Sequence, residues 1–415
     1  MLIRAVWLSC GLFWACGAPA FSAEEKKPAS TPPPASVPRA SPGTPASTPP
    51  APAVPDAKRE SQKAPVESKE PAKADAPKDA QKPASPATLA PHIALILPTG
   101  SKAFGKVAEA VRSGFAAAAM AEGKDAAAYR VYATDDDTTA LAKEVRRATN
   151  EGAVLIAGGL TRDGANMLAR ETGVLPALAL NTPATADAEL PELYFHVSLS
   201  LDSEARSLAR RVSEDGLKRI AVLSTGTPLA RRVQESFERE WLRRGGEIAM
   251  RVMVSGELAA GERLFATFEN AQADSALLLA DRKAARSARP FLPQGMPVYT
   301  TTYTIDPRAD AVENLDLDGM RFLEMPWFVD ALHPAVMTYP KPSEPLPIEL
   351  ERLYALGIDA WRLAHAMIKA ENLTRFAPLD GVTGKITLDG KQFVRALTSA
   401  ELRDGRVVVR TGANE

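Results

Sequence analysis

From His92 onward, short apolar runs alternate with longer stretches whose apolar residues recur every third or fourth position. This alternation constrains the fold more than any other feature. His92-Ile93-Ala94-Leu95-Ile96-Leu97 is a strand-like run ending at the turn signal Pro98-Thr99-Gly100. Val107 to Met120 follows with helical spacing, Val107, Val111, Phe115 and Ala118 sharing one face. Tyr129 to Ala133, Val154-Leu155-Ile156 and Ala177 to Leu180 read as further strands, with helices over 138–148 and 162–171 between them. The pattern resumes with strands at 219–223, 248–254, 276–279 and 297–301 and with helices at 229–243 and 262–271. Gly245-Gly246 closes the first of these two helices. Short strands separated by 10–15-residue helices predict parallel sheets covered by helices on both faces. The folded stretch, about 320 residues, is too long for one such sheet, so two similar α/β lobes are expected.

The segment before His92 cannot join that core. Residues 24–91 hold 17 of the chain's 34 prolines and no aromatic residue, the rest being mostly Ala, Ser, Thr, Lys, Glu and Asp. Such a composition buries too little apolar surface to offset the entropy of ordering, and predicts a disordered, semi-extended Pro/Ala/Lys-rich linker. Residues 1–23 read as a secretory signal: Arg4, an apolar core from Ala5 to Ala15 too short to span a bilayer, then small residues with Ala18-Pro19-Ala20 and Ala23 as cleavage points. Ala15-Cys16-Gly17 also fits a lipoprotein junction in which Cys16 is acylated. Both readings carry the protein out of the cytoplasm into the periplasm, and a lipid on Cys16 is the one membrane attachment expected.

Charge and residue inventory exclude several function classes. The chain has 50 Lys+Arg against 51 Asp+Glu, without the basic excess of a nucleic-acid protein. Its 2 cysteines, Cys10 and Cys16, precede the folded part, and its 4 histidines are scattered, so no thiolate zinc site and no cofactor is expected. No G-x-S-x-G, G-x-x-x-x-G-K-[ST] or H-E-x-x-H pattern occurs, and no enzyme chemistry is predicted. Asp135-Asp136-Asp137 reads as a solvated loop preceding a helix, since three adjacent carboxylates cannot all turn to one metal.

In two-lobed α/β domains ligands sit at the carboxyl ends of strands, held by hydroxyls and loop N–H groups. The candidates here are Ser101 after the first strand, Gly159 and Thr161 after the third, and Asn181 and Thr182 after the fourth; Thr225 and Asp281 come from the second lobe. Each hydroxyl or carboxylate among them is equally placed to cap the following helix.

Six blocks together resemble one family. They are the opening 92–98 with Val111-Arg112-Ser113-Gly114-Phe115, Ala157-Gly158-Gly159-Leu160, Ala179-Leu180-Asn181, Phe322-Leu323-Glu324-Met325-Pro326-Trp327, the helix from Glu351 to Ala360 containing Ala355-Leu356-Gly357-Ile358-Asp359, and Gly381-Val382-Thr383-Gly384-Lys385-Ile386. Over about residues 92–410 the chain resembles the LpoA (LppC) family. The resemblance implies a type I periplasmic-binding-protein-like α/β fold. It also implies a non-enzymatic outer-membrane lipoprotein that binds and activates a class A penicillin-binding protein, a peptidoglycan synthase. Its topology places lobe 1 at about 92–197 and 325–372 and lobe 2 at about 198–324 and 373–410, with a third crossing near Leu373-Thr374. The competing reading is a receptor for an amino acid or similar small solute serving an ABC importer.

Overall fold

The computed structural model describes residues 90–135, 138–254 and 267–410. The signal, lipidation and linker expectations, the first half of the helix at 262–271, and Asp136 and Asp137 lie outside the described residues. Among the described residues fifteen strands occur in chain order: β1 (His92–Leu97), β2 (Tyr129–Ala133), β3 (Ala153–Gly158), β4 (Ala177–Ala179), β5 (Tyr194–His196), β6 (Arg219–Ser224), β7 (Glu247–Met253), β8 (Ser275–Leu279), β9 (Val298–Tyr299), β10 (Met320–Glu324), β11 (Leu379–Gly381), β12 (Gly384–Asp389), β13 (Gln392–Ala396), β14 (Thr398–Arg403) and β15 (Arg406–Val409). The longer helices are α1 (Gly105–Glu122), α2 (Thr138–Asn150), α3 (Arg162–Glu171), α4 (Leu201–Glu214), α5 (Pro228–Arg243), α6 (Arg282–Ala288) and α7 (Ile348–Lys369).

Two sheets form. The first is eight-stranded in the order β11-β12-β13-β5-β4-β3-β1-β2, the second seven-stranded in the order β15-β14-β10-β9-β8-β6-β7. Their central strands are parallel, as β1 is to β2 and β3, and β6 to β7 and β8. All six residues of β1 and all five of β8 are buried, as a strand covered on both faces requires. Helices α1 and α7 cover one face of the first sheet, where Phe115, Ile358 and Trp361 join Leu95 and Leu155 in one core. Helices α2 and α3 cover the other, packing Leu141 and Leu168 against Ala94 and Ile156. In the second sheet α4 and α5 bury Leu208, Phe237 and Trp241 against Val222 and Leu277.

Two expectations are corrected here. The sheets are mixed rather than wholly parallel, because β11–β12, β12–β13, β10–β14 and β14–β15 pair antiparallel at the edges. The chain also does not leave lobe 1 near Leu373-Thr374. Residues 379–396 form three strands that extend the first sheet, β13 lying parallel to β5 with Gln392 opposite His196. The crossing to lobe 2 comes at Leu397, between β13 and β14. The physical cause is a tie to α7: the carboxylate of Asp359 accepts from Val382 N at 3.1 Å and from Thr383 N at 2.8 Å, so the turn into β12 is held on lobe 1.

Candidate functional site

The carboxyl ends of β1, β2 and β3 open onto a pocket of about 290 Å³ built from lobe 1 alone. Pro98, Phe104, Thr138, Leu141, Gly159 and Thr161 are among its walls, and its lining is mainly apolar. Gly159 is needed where β3 turns into α3: its φ is +65°, and a Cβ there would lie 3.0 Å from Ala165 Cα. Thr161 is the N-cap of α3, its hydroxyl accepting from Gly164 N at 3.0 Å. Arg162 and Asp163, which the sequence reading passed over, border the same pocket.

The other candidates are spent largely on local structure. Ser101 Oγ accepts from Ala103 N at 3.1 Å and Phe104 N at 2.7 Å, bracing the entry to α1. Asn181 Nδ2 donates to Leu160 O at 2.8 Å, while its Oδ1 accepts from Thr182 N at 2.8 Å. Thr182 Oγ1 and Ser198 Oγ share a hydrogen bond of 2.9 Å across the first lobe crossing. Asp281 caps α6, accepting from Ala284 N at 2.9 Å. Thr225 N donates to Leu279 O at 3.1 Å and so ties β6 to β8. The structure therefore gathers Gly159 and Thr161 into one pocket, sets Ser101 and Asn181 beside its loops, and leaves Thr225 and Asp281 on lobe 2, outside its walls.

Sequence reading missed a charged cluster at the lobe junction. Glu204 of α4 is 7% exposed and Glu324, at the end of β10, 1%. Thr302 donates to Glu204 from its backbone N–H and from its hydroxyl, each at 2.7 Å. Glu324 pairs with Arg352 of α7 at 2.5 Å, lobe 2 to lobe 1. Arg395 of β13 donates to Ser198 O and Thr383 O, both at 3.1 Å, tying the third crossing to the first. Burial pushes the Glu204 carboxyl up to about 7, against the opposing pull of the Thr302 hydrogen bonds. No local signal announces this, because Glu204 reads as one polar position on an amphipathic helix.

The family blocks converge on α7. Gly114 of α1 packs against the Tyr354 carbonyl, Trp327 Nε1 donates to Glu351 Oε1 at 2.9 Å, and Thr383 bonds Asp359. Their common work is to hold lobe 1 together. The histidines make local contacts: His92 Nε2 with Tyr132 OH at 2.8 Å, His196 with Asp187 at 3.4 Å, His333 with Asp380 at 3.2 Å and His365 with Glu122 at 3.7 Å. Among the described residues no group of three or more His, Cys, Asp or Glu is placed to hold a metal, and no helix is long and apolar enough to cross a membrane.

With this architecture in view, the comparisons decide the family. The model described as "LppC putative lipoprotein" matches residues 69–255 and 254–405. The chain belongs to the LppC family. Curated relatives named penicillin-binding protein activator LpoA include one from Klebsiella pneumoniae, 24% identical over 310 residues, covering 66% of this chain and 44% of that protein. Another, from Serratia proteamaculans, is 26% identical over 320 residues, covering 67% and 47%. The chain thus spans about half the length of the curated relatives it matches. Among solved structures, a "putative branched-chain amino acid ABC transporter" from Chromobacterium violaceum superposes with TM-score 0.65 at 32% identity, covering 75% of this chain and 99% of that one. The LpoA C-domain from Haemophilus influenzae, described as a regulator of PBP1A, superposes with TM-score 0.62 at 20% identity, covering 77% and 100%. The fold is that of type I periplasmic binding proteins.

Proposed function

We propose that this LppC-family chain is a non-enzymatic regulator in the cell envelope that binds and activates a class A penicillin-binding protein. One observation carries the reading: the family match covers most of the folded part, and the curated relatives sharing it are named activators of penicillin-binding proteins. The local bonding of the candidate residues supports it: Thr161 in the pocket and Asp281 on lobe 2 each cap a helix, and Ser101 braces the entry to α1, so these side chains are engaged within the protein. The protein works in the periplasm, and acylation of Cys16 would tether it to the outer membrane. Surface plasmon resonance of the protein, immobilised through its C-terminus, against a detergent-solubilised class A synthase is the direct test, followed by synthase assays. Saturable binding with faster peptidoglycan synthesis is expected; absence of both across the synthases of the source bacterium defeats the proposal. Fractionation of Cys16→Ser against wild type tests the anchor: a shift from membrane to soluble fraction is expected.

A second reading rests on the Chromobacterium violaceum likeness, 32% identical over nearly all of that chain. It makes the chain a solute receptor with Gly159 and Thr161 at the ligand. Calorimetry against free amino acids separates the two: micromolar binding abolished by Thr161→Ala would favour the receptor.

A further inference from the structure

A second cavity, of about 130 Å³, lies at the lobe junction between α4 of lobe 2 and the β12–β13 hairpin of lobe 1. It is lined mainly by polar atoms and is far smaller than the 300 Å³ or so at which organic-ligand pockets begin. Arg206 and Arg210, one turn apart on α4, face it with Ser203 and Ser207, and Gln392 and Arg395 face it from β13. Arg206 donates to Ser203 Oγ at 2.8 Å and Arg210 to Ser207 Oγ at 2.7 Å, so each guanidinium is fixed beside a hydroxyl. Among the described residues none of these three arginines has a carboxylate within ion-pair distance.

We infer that this junction cavity binds a compact oxyanion, of which inorganic phosphate is the simplest, held by Arg206, Arg210 and Arg395 with the flanking hydroxyls. The inference is independent of the synthase reading. Three guanidiniums face two acids in the cavity, exposed Asp389 and buried Glu204. Glu204 stays protonated up to about pH 7 because of its burial, so it opposes an anion weakly below that point. Burial also pulls the Arg210 and Arg395 pKa values down, the mark of cations short of water that a bound anion would compensate. Planar guanidinium forks are the groups best shaped to grip such an oxyanion. Because the arginines come from both lobes, the bound anion would brace the junction.

The test uses the full-length protein. Thermal unfolding in tens of millimolar phosphate, against chloride at matched ionic strength, should show a phosphate-specific rise in Tm. The doubly substituted R206Q/R210Q, whose changed side chains are half-buried and free of ion pairs, should lose roughly tenfold or more in phosphate affinity by calorimetry. A second measurement needs no variant: phosphate should slow phenylglyoxal modification of Arg206 and Arg210 while leaving Arg403 unaffected. A Tm rise equal in chloride, phosphate binding undiminished in R206Q/R210Q, or unprotected Arg206 and Arg210 would each overturn the inference. Acetate, run in parallel, reports whether a planar carboxylate serves as well as a tetrahedral phosphate.

Discussion

Glu204 and Thr302 are joined by two hydrogen bonds of 2.7 Å, although 98 residues separate them in sequence. The carboxyl they hold is buried where the lobes meet, faced by Glu324 from β10, Arg352 from α7 and Arg395 from β13. Desolvation outweighs the Arg352 attraction, and its pKa rises from 4.5 to about 7. Between those values the folded protein keeps a proton that the unfolded chain has released. Stability from this group is therefore complete below about pH 4.5 and is lost as pH rises through about 7. Glu204→Gln, which mimics the neutral form, should flatten that dependence. Wild type should lose on the order of 3 kcal/mol relative to the variant across the window. Chemical denaturation at stepped pH in phosphate-free buffer reads it; parallel curves would refute the assignment.

Asp359 is wholly buried on α7 and accepts from Val382 N, Thr383 N and Thr383 Oγ1, with Arg362 at 3.2 Å. Asp359→Ala strands two buried N–H donors and the Thr383 hydroxyl, and leaves Arg362 with only the Asp380 carbonyl as acceptor. A loss of about 3–5 kcal/mol is expected. Asp359→Asn, which keeps one acceptor oxygen, should recover part of it. Hydrogen exchange should show residues 382–396 opening first in the alanine variant, because the tie to α7 is what keeps them on lobe 1.

Thr161 and Asp281 each accept one N–H at the start of a helix. Substituting either by alanine should cost about 1 kcal/mol, the ordinary worth of an N-cap. Urea midpoints measure it. A cost near zero at Thr161, joined to a changed affinity for some solute, would mean that its hydroxyl is committed to a ligand rather than to α3.

The sequence exposed the central parallel strands readily, because β1, β6 and β8 are short apolar runs covered on both faces and punctuated by turn residues. The C-terminal hairpins escaped notice: Lys385 and Thr387 of β12 are exposed and alternate with inward Ile386, so the segment has no continuous apolar run. Strand β5 spans only three residues, too few for periodicity to register, whereas β9 lies within the strand expected at 297–301. Ser101, Thr161 and Asp281 were found as strand-end polar residues, yet capping and ligand contact demand the same residue types at the same positions. The junction cluster was invisible because its members come from α4, β10, α7 and β13, and burial exists only once the lobes are assembled.

Where α1 crosses α7, two glycines remove the side chains that would separate the helices. A Cβ on Gly114 would sit 1.9 Å from the Tyr354 carbonyl oxygen, and one on Gly357 would sit 2.1 Å from that of Val111. Both obstacles are helix backbone, which cannot rotate aside as a side chain can. Gly114→Ala or Gly357→Ala must therefore force the helices apart and loosen Phe115, Ile358 and Trp361 in the core beneath. A loss of about 3 kcal/mol or more is expected from each, at the upper end of overpacking costs. Gly173→Ala is the control, since nothing lies within 4 Å of its added Cβ and its φ is ordinary; it should be neutral or slightly stabilising. Thermal unfolding of the three variants side by side decides the matter. Equal Tm values for all three would mean that the α1–α7 crossing is looser than its carbonyl contacts require.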